Sequence, residues 1–563
     1  MQATVTFDLL RTFSPLRLAG PIFDKELRIA SRRRRTYLLR FAYVAFLTLF
    51  VVQVLSVATR VPGAGSAVVR MSQMGLVASG VVSTIVWFQF LLAQLLAIVL
   101  LSGAIGNEVR QRSLDALLVT PISSLQIVVG KLLSGLLQLV LLLAVSLPLL
   151  ATVRVFGGVP WGYVVFSLCT TLAAALFAGS LSLLLSVTNR HAYRVVSNAV
   201  GWCLVLWGGS AALLALLRWV GHIGTATAEL ALYLSNPFFV MLVRTQSMIT
   251  AAPARWSTLG LWSVHCLVLL TGAVLMLLLA VRRIRRVALA PVPGQGPAAS
   301  AQATTASLWR GWPRRRAVRR VTGSPIVWKE LHRPFFARGR RGVLNALGLI
   351  AAGCLVVGAL VFSLATARLP LGPVCIVLAV LLQLLFIINV ATSAASAITR
   401  EKEARTLPIL LMAPLDNRAI IRGKALGLLR RNLPFLVPVP FLGVLAYTMM
   451  ASRLTSSSAV LTVALLEAVA LSDVVFLLGL GLCLSVYLKT TTPAVVATFI
   501  LYVASKFFIR VLGGLFLLGV TRAGRVDTAL FGVIATGVYV VVYSGLGVLL
   551  GFVAAAGLRR SSM

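Results

Sequence analysis

Acidic residues are scarce in this sequence: 13 Asp and Glu stand against 52 Lys and Arg in 563 residues, a net charge of +39. Charge of either sign is thin, at 12% of residues, about half the share of an ordinary soluble domain. The signatures of chemistry are missing too. No GxxxxGK[ST] run offers a phosphate cradle, and no HExxH or GxSxG motif occurs. The four histidines, His191, His222, His265 and His332, are scattered. The six cysteines fall in apolar runs with no CxxC or Cys/His cluster, so they read as small buried residues. These absences exclude a metal centre, a disulfide framework and a catalytic triad. The chain is not expected to be an enzyme, and no cofactor is expected within it.

What is abundant is apolar surface. Hydrophobic residues make up 59% of the chain, with a mean hydropathy of +0.98. A water-soluble fold cannot hide this, because even large domains leave about a quarter of their surface exposed. Lipid must be the solvent. Twelve segments are long and apolar enough to span it: about 41–58, 76–104, 132–153, 160–187, 195–217 and 257–281, then 342–367, 373–398, 432–451, 458–487, 493–520 and 528–557. Arg32 to Arg35 precede a full-length span rather than a short leader core, so no cleavable signal is expected. With the N-terminus inside, forty Lys and Arg fall on the cytoplasmic side and ten outside. That bias predicts an N-in, C-in, all-α polytopic protein. The positive charge then belongs to the inner face and its anionic lipids, with no call for nucleic acid.

The chain divides in two. Residues 282–323 carry two arginine clusters around an Ala/Pro/Gly/Ser/Thr-rich run and read as a flexible cytoplasmic linker. It separates a six-span half, 1–281, from a second, 324–563. Each half opens with a pre-span segment: Pro21 to Leu27, containing Lys25, Glu26 and Leu27, and Pro325 to Leu331, containing Lys329, Glu330 and Leu331. The first has an apolar face opposite Arg28, Arg32 and Arg35, as an interfacial helix would. Between the second and third spans of each half lies a longer match. Glu108–Lys131 and Glu401–Lys424 align without gaps at an offset of 293, with nine of 24 positions identical. These are Glu108/Glu401, Arg112/Arg405, Leu114/Leu407, Leu117/Leu410, Leu118/Leu411, Pro121/Pro414, Ile127/Ile420, Gly130/Gly423 and Lys131/Lys424. Both halves start inside, so they are parallel repeats about an axis along the membrane normal.

The repeated loop reads as a short helix, a proline break and the start of a span. The spacing predicts ion pairs Glu108–Arg112 and Glu401–Arg405, worth a few tenths of a kcal/mol. The leucines at i, i+3 and i+4 form one apolar face on a helix too short to stand alone. Pro121 and Pro414 end it. Ser123 with Gln126 forms a capping-box pattern, and Asp416 caps the second copy. The leucine face needs a cover: the protein's own span ends, or a groove on a separate cytoplasmic protein. Two such loops about a twofold-like axis suit a dimeric partner.

This block resembles the first cytoplasmic loop of ABC-2-type ABC transporter permeases. The resemblance implies that it is a coupling helix seated on an ATP-binding subunit, with ATP and Mg2+ held by that partner. The pre-span Pro-x-x-x-Lys-Glu-Leu resembles the family's interface helix, and Leu234 to Phe239 its short external segment. The second copy departs at Pro408, which shortens its helix and lowers its expected weight. The leading reading is an exporter permease in a bacterial inner membrane, its path lined by spans two and five. A 6+6 secondary transporter shares the span count but lacks its Gly-x-x-x-Asp-Arg motif here. A non-transporting scaffold is the third reading. Four charges also fall inside spans of the second half: Glu467, Asp473, Lys506 and Arg510. Such charges pair or face water. Depth counted from the turn near Lys489 pairs Asp473 with Lys506 and, more loosely, Glu467 with Arg510.

Overall fold

The computed structural model describes residues 67–106, 123–155, 157–189, 192–219, 224–250, 259–288, 325–331, 386–436, 456–522 and 528–560. It also describes the shorter pieces 23, 28, 37, 40–41, 43–49, 51–52, 108 and 383. Those residues are helical apart from turns. Among the described residues, six helices are long and apolar enough to cross a membrane, or seven if one bent pair counts as a span. The seventh sequence-predicted span, 342–367, lies outside the described residues, as do most of the ninth and nearly half of the first.

The first half contains α1 (Ala67–Ser102), α2 (Ser124–Arg154), α3 (Trp161–Thr188) and α4 (Ala192–Trp219). After these come α5 (Thr225–Ser235), α6 (Pro237–Thr250) and α7 (Leu259–Ala288). α1 is the axis of this half: α2, α3 and α4 pack around it, and α7 lies on α3. Small residues allow the close fit, as where Gly179 of α3 lies under Leu101 of α1. α2 begins earlier than its apolar run because Ser123 caps it. The Ser123 hydroxyl accepts from the Gln126 amide, and the Gln126 side chain accepts from the Ser123 amide.

The second half contains α8 (Pro325–Leu331), α9 (Thr399–Glu403), α10 (Leu407–Met412), α11 (Asn417–Leu436), α12 (Ser456–Tyr487), α13 (Thr491–Arg522) and α14 (Thr528–Arg560). A helical stretch, Phe386–Ala395, precedes α9. α12 and α14 form its tightest pair. Gly479 and Gly547 face each other there, and a Cβ on either would run into the other helix's backbone. The halves meet where α13 touches α1 and α4. One apolar core there joins Val99, Val196 and Ala199 to Ile388, Leu477 and Phe499. Within it the Ser197 hydroxyl donates to Asn389 Oδ1 at 2.7 Å.

Candidate functional site

The second copy of the loop is described throughout. α9 and α10 are separate helices, joined by Ala404 to Thr406, with Arg405 at φ +56°. The expected Glu401–Arg405 pair is therefore absent. The cause is Pro408: in one continuous helix its ring would clash with the carbonyl of residue 404 and leave a bond unmade. Breaking the chain there places Pro408 in the first turn of α10, where proline is tolerated. Ala413 is extended ahead of Pro414, as the residue before proline prefers, and α10 stops at Met412.

Glu401 turns instead to the far end of its own block. Lys424 Nζ lies 3.0 Å from Glu401 Oε1, and the Thr406 hydroxyl donates to the other oxygen. Burial works to raise this carboxyl, but Thr406 and the charges of Lys424 and Lys329 outweigh it, holding it below its ordinary value. The sequence-predicted residues Lys329, Glu401 and Lys424 thus share one neighbourhood. Gly423 is needed there because Ile326 of α8 packs directly on it. The pre-span helix is held by this contact with α11.

The first copy repeats the pair. Lys131 Nζ lies 3.0 Å from Glu108 Oε1, with Lys131 buried, and Gly130 is buried beside it. Arg112, Leu114, Leu117, Leu118 and Pro121 lie outside the described residues, as do Lys25, Glu26 and Leu27. So does the expected Glu108–Arg112 pair. Neither the leucine spacing nor the i, i+4 rule pointed to the Glu–Lys pairs. The signal was the identity of both ends of the 24-residue block.

The leucine face of α10 folds inward. Leu407 is buried, and Leu410 and Leu411 pack against the apolar cluster that includes Ile398, Ile420 and Leu558. What α10 presents outward is Pro408, Ile409 at 70% exposure and Met412 at 84%.

Among the charges within spans, the structure brings Asp473 of α12 and Lys506 of α13 together. Lys506 Nζ lies 2.5 Å from Asp473 Oδ1 and 2.6 Å from Oδ2. Three tyrosines that the sequence reading did not single out complete the cluster. The Tyr539 hydroxyl of α14 donates to Asp473 Oδ1 at 2.6 Å, and that of Tyr502 donates to Oδ2 at 3.3 Å. The ammonium also bonds Tyr539 and stands 4.8 Å from its ring centre. Tyr543 stacks on Tyr539 and donates to Ser505 at 2.7 Å. The tyrosines' spacing was a weak signal: Tyr539 and Tyr543 are one turn apart, and Tyr502 is one turn before Lys506. Glu467 is half-buried on α12. The side chain of Arg510 lies outside the described residues, and so does its expected pairing.

The segment around Leu234 to Phe239 is no simple loop. α5 and α6 meet at Asn236 with a bend of 109°. The Asn236 amide donates to the Trp207 carbonyl at 2.8 Å, while its Oδ1 accepts from the Phe238 amide and caps α6. A His265 ring nitrogen meets the Leu234 carbonyl at 2.9 Å.

A profile of the ABC-2 family transporter proteins matches residues 21–287 and 373–523, together more than half of the chain. The chain belongs to the ABC-2 transporter family. It is thus a multi-pass membrane protein, the non-catalytic membrane component of an ABC-2 transporter, and its family implies an ATP-binding partner. No curated protein matches the sequence. The two matched segments leave out residues 288–372 of this permease, and α14, which supplies Tyr539 and Tyr543, lies beyond both.

Proposed function

We propose that this permease is the two-halved membrane part of an ATP-driven exporter. Twelve spans form two parallel six-span repeats, 1–281 and 324–563, joined by the linker 282–323. Both termini and the Glu108–Lys131 and Glu401–Lys424 blocks face the cytoplasm of an inner-membrane protein, and the basic inner face meets anionic lipid. A separate, dimeric ATP-binding subunit carries ATP and Mg2+ and docks on the two loops.

The observation that carries this reading is the repeated ion pair. The same Glu and Lys, 23 residues apart, meet at 3.0 Å in both halves, so each loop is clamped to the head of the next span at both ends. A clamped loop moves its span when pushed. α10 is built to be pushed: its leucines grip the span ends, and Ile409 and Met412 are left for a partner. Large apolar side chains at such exposure favour a docking groove.

The test is co-purification of the ATP-binding subunit. Ile409→Asp with Met412→Asp is expected to keep the permease folded and to lose the subunit, whereas Leu410→Asp is expected to unfold the loop itself. Wild-type recovery of the subunit by the double variant would move the docking face elsewhere.

A further inference from the structure

Four consecutive charges form α9, and each engages a different helix. The Arg400 guanidinium stacks 4.1 Å from the ring centre of Tyr193, at the head of α4 in the other half. Glu401 binds Lys424 of α11 at 3.0 Å. Lys402 Nζ donates to the Val486 carbonyl at the end of α12, and to that of Leu488 at 3.3 Å. Glu403 Oε1 accepts from the Thr491 amide at 2.8 Å, capping the start of α13. Planar stacking of this kind suits Arg and not Lys. Tyr193 is itself buried and accepts a hydrogen bond from Arg194 at 2.8 Å. The Ser197–Asn389 bond lies further along the same seam.

The first loop's sequence does not repeat this set of charges. At the offset of 293, Arg400, Lys402 and Glu403 correspond to Asn107, Val109 and Arg110, and only the glutamate recurs, as Glu108. The second loop has its clamp and three further ties, one of which crosses to the opposite half, and the three residues that make those ties do not recur in the first loop's sequence.

We propose that the second loop is wired across the molecule, and that Arg400 on Tyr193 is the positioning contact carrying its movement to the first half. The inference rests on the docking reading above and reverses the lower weight that Pro408 suggested for this copy. Pro408 separates α10 from α9, so α10 meets the partner while α9 stays knotted to the spans. Arg400 sits one residue from the clamp. Displacing α9 therefore displaces the head of α4 with α11, α12 and α13. Neither loop needs to touch substrate for this to open or close the seam between the halves.

The experiment uses the full permease with its co-purified ATP-binding subunit, with the native cysteines replaced. Spin-label distances are measured without nucleotide and with ATP and vanadate. A pair at Ala404→Cys and Arg283→Cys, both exposed, reads movement of the loop against α7. A pair at Asn198→Cys and Arg283→Cys, also exposed, reads transmission to the head of α4. In wild type both distances shift with nucleotide. With Arg400→Ala the first shift is expected to persist and the second to be lost. Tyr193→Leu should act like Arg400→Ala, and Tyr193→Phe, which keeps the ring, like wild type. Asn107→Ala should change neither distance. The proposal is overturned if Arg400→Ala leaves the second shift intact, or if Asn107→Ala reduces it equally. Should Arg400→Ala fail to fold, the Tyr193→Leu and Tyr193→Phe comparison decides. Loss of the subunit, or no shift in wild type, overturns the docking reading instead.

Discussion

Apart from the Glu–Lys pair that both loops share, the described spans of the two halves hold together by different chemistry. In the first, neutral groups meet across helices. Thr245 of α6 accepts from the Trp87 indole at 3.1 Å and bonds the Tyr163 hydroxyl at 3.0 Å, and the Trp262 indole donates to Thr170 at 3.0 Å. In the second, a full charge pair with three tyrosines ties α12, α13 and α14. Neutral bonds between membrane helices average well under 2 kcal/mol each and fail singly. A buried ion pair fails as a unit, since removing one member strands the other. Among the described spans, the first half is stitched by neutral bonds, and the second carries a buried ion pair as well.

The largest expected effect breaks that pin. Asp473→Leu leaves Lys506 uncompensated and should destabilise the detergent-solubilised protein by about 3–5 kcal/mol, read by thermal unfolding. Asp473→Lys should be as damaging, and adding Lys506→Asp should restore part of the loss. Thr245→Val, the first-half counterpart, should cost about 1–3 kcal/mol. Equal losses at the two sites would erase the contrast.

Next comes backbone approach. Gly547→Ala places a methyl against the α12 backbone and should cost about 1–3 kcal/mol, more if the helices must part. Gly80→Ala of α1 meets nothing within 4 Å and should gain up to about 1 kcal/mol from helix propensity. The same unfolding assay ranks them, and a neutral Gly547→Ala would show that α12 and α14 can separate freely.

A smaller effect is set by pH. The Glu401 carboxyl is held below its ordinary value. Its contribution is therefore present above the unfolded-state value and is lost as pH falls through the lower, folded one. Limited proteolysis at the exposed Ala404–Arg405 link should quicken only in that acidic window, and Glu401→Gln should remove the step. The smallest change is Arg405→Gly. Glycine accepts φ +56° without strain, so the variant should be neutral or slightly more stable by chemical unfolding. Clear destabilisation would assign Arg405 a contact of its own.

The sequence made some of this legible and hid the rest for physical reasons. Apolar run length marks spans because a bilayer demands it. Depth counting suffices for Asp473 and Lys506 because two helices joined by a short turn run antiparallel with a fixed rise per residue. The i, i+4 rule failed at Glu401 because it presumes a continuous helix, and a proline four residues beyond a carbonyl overrides it. The tyrosines were missed because α14 is distant in sequence and tyrosine is common at helix faces. The bend at Asn236 had only the Asn-Pro step as a sign, and apolar length alone argues the other way.

That bend governs how the chain must be threaded during synthesis. α5 and α6 together offer the insertion machinery as much apolar length as a true crossing. Yet each arm, at 11 and 14 residues, is about 16–21 Å long, short of the roughly 30 Å of hydrocarbon. Turned through 109°, the two arms do not make one straight helix of that length. Replacing Asn236 and Pro237 with leucines should straighten the segment into a helix long enough to cross. An epitope placed in the 282–323 stretch would report, by a change in its protease protection, any crossing gained in this way.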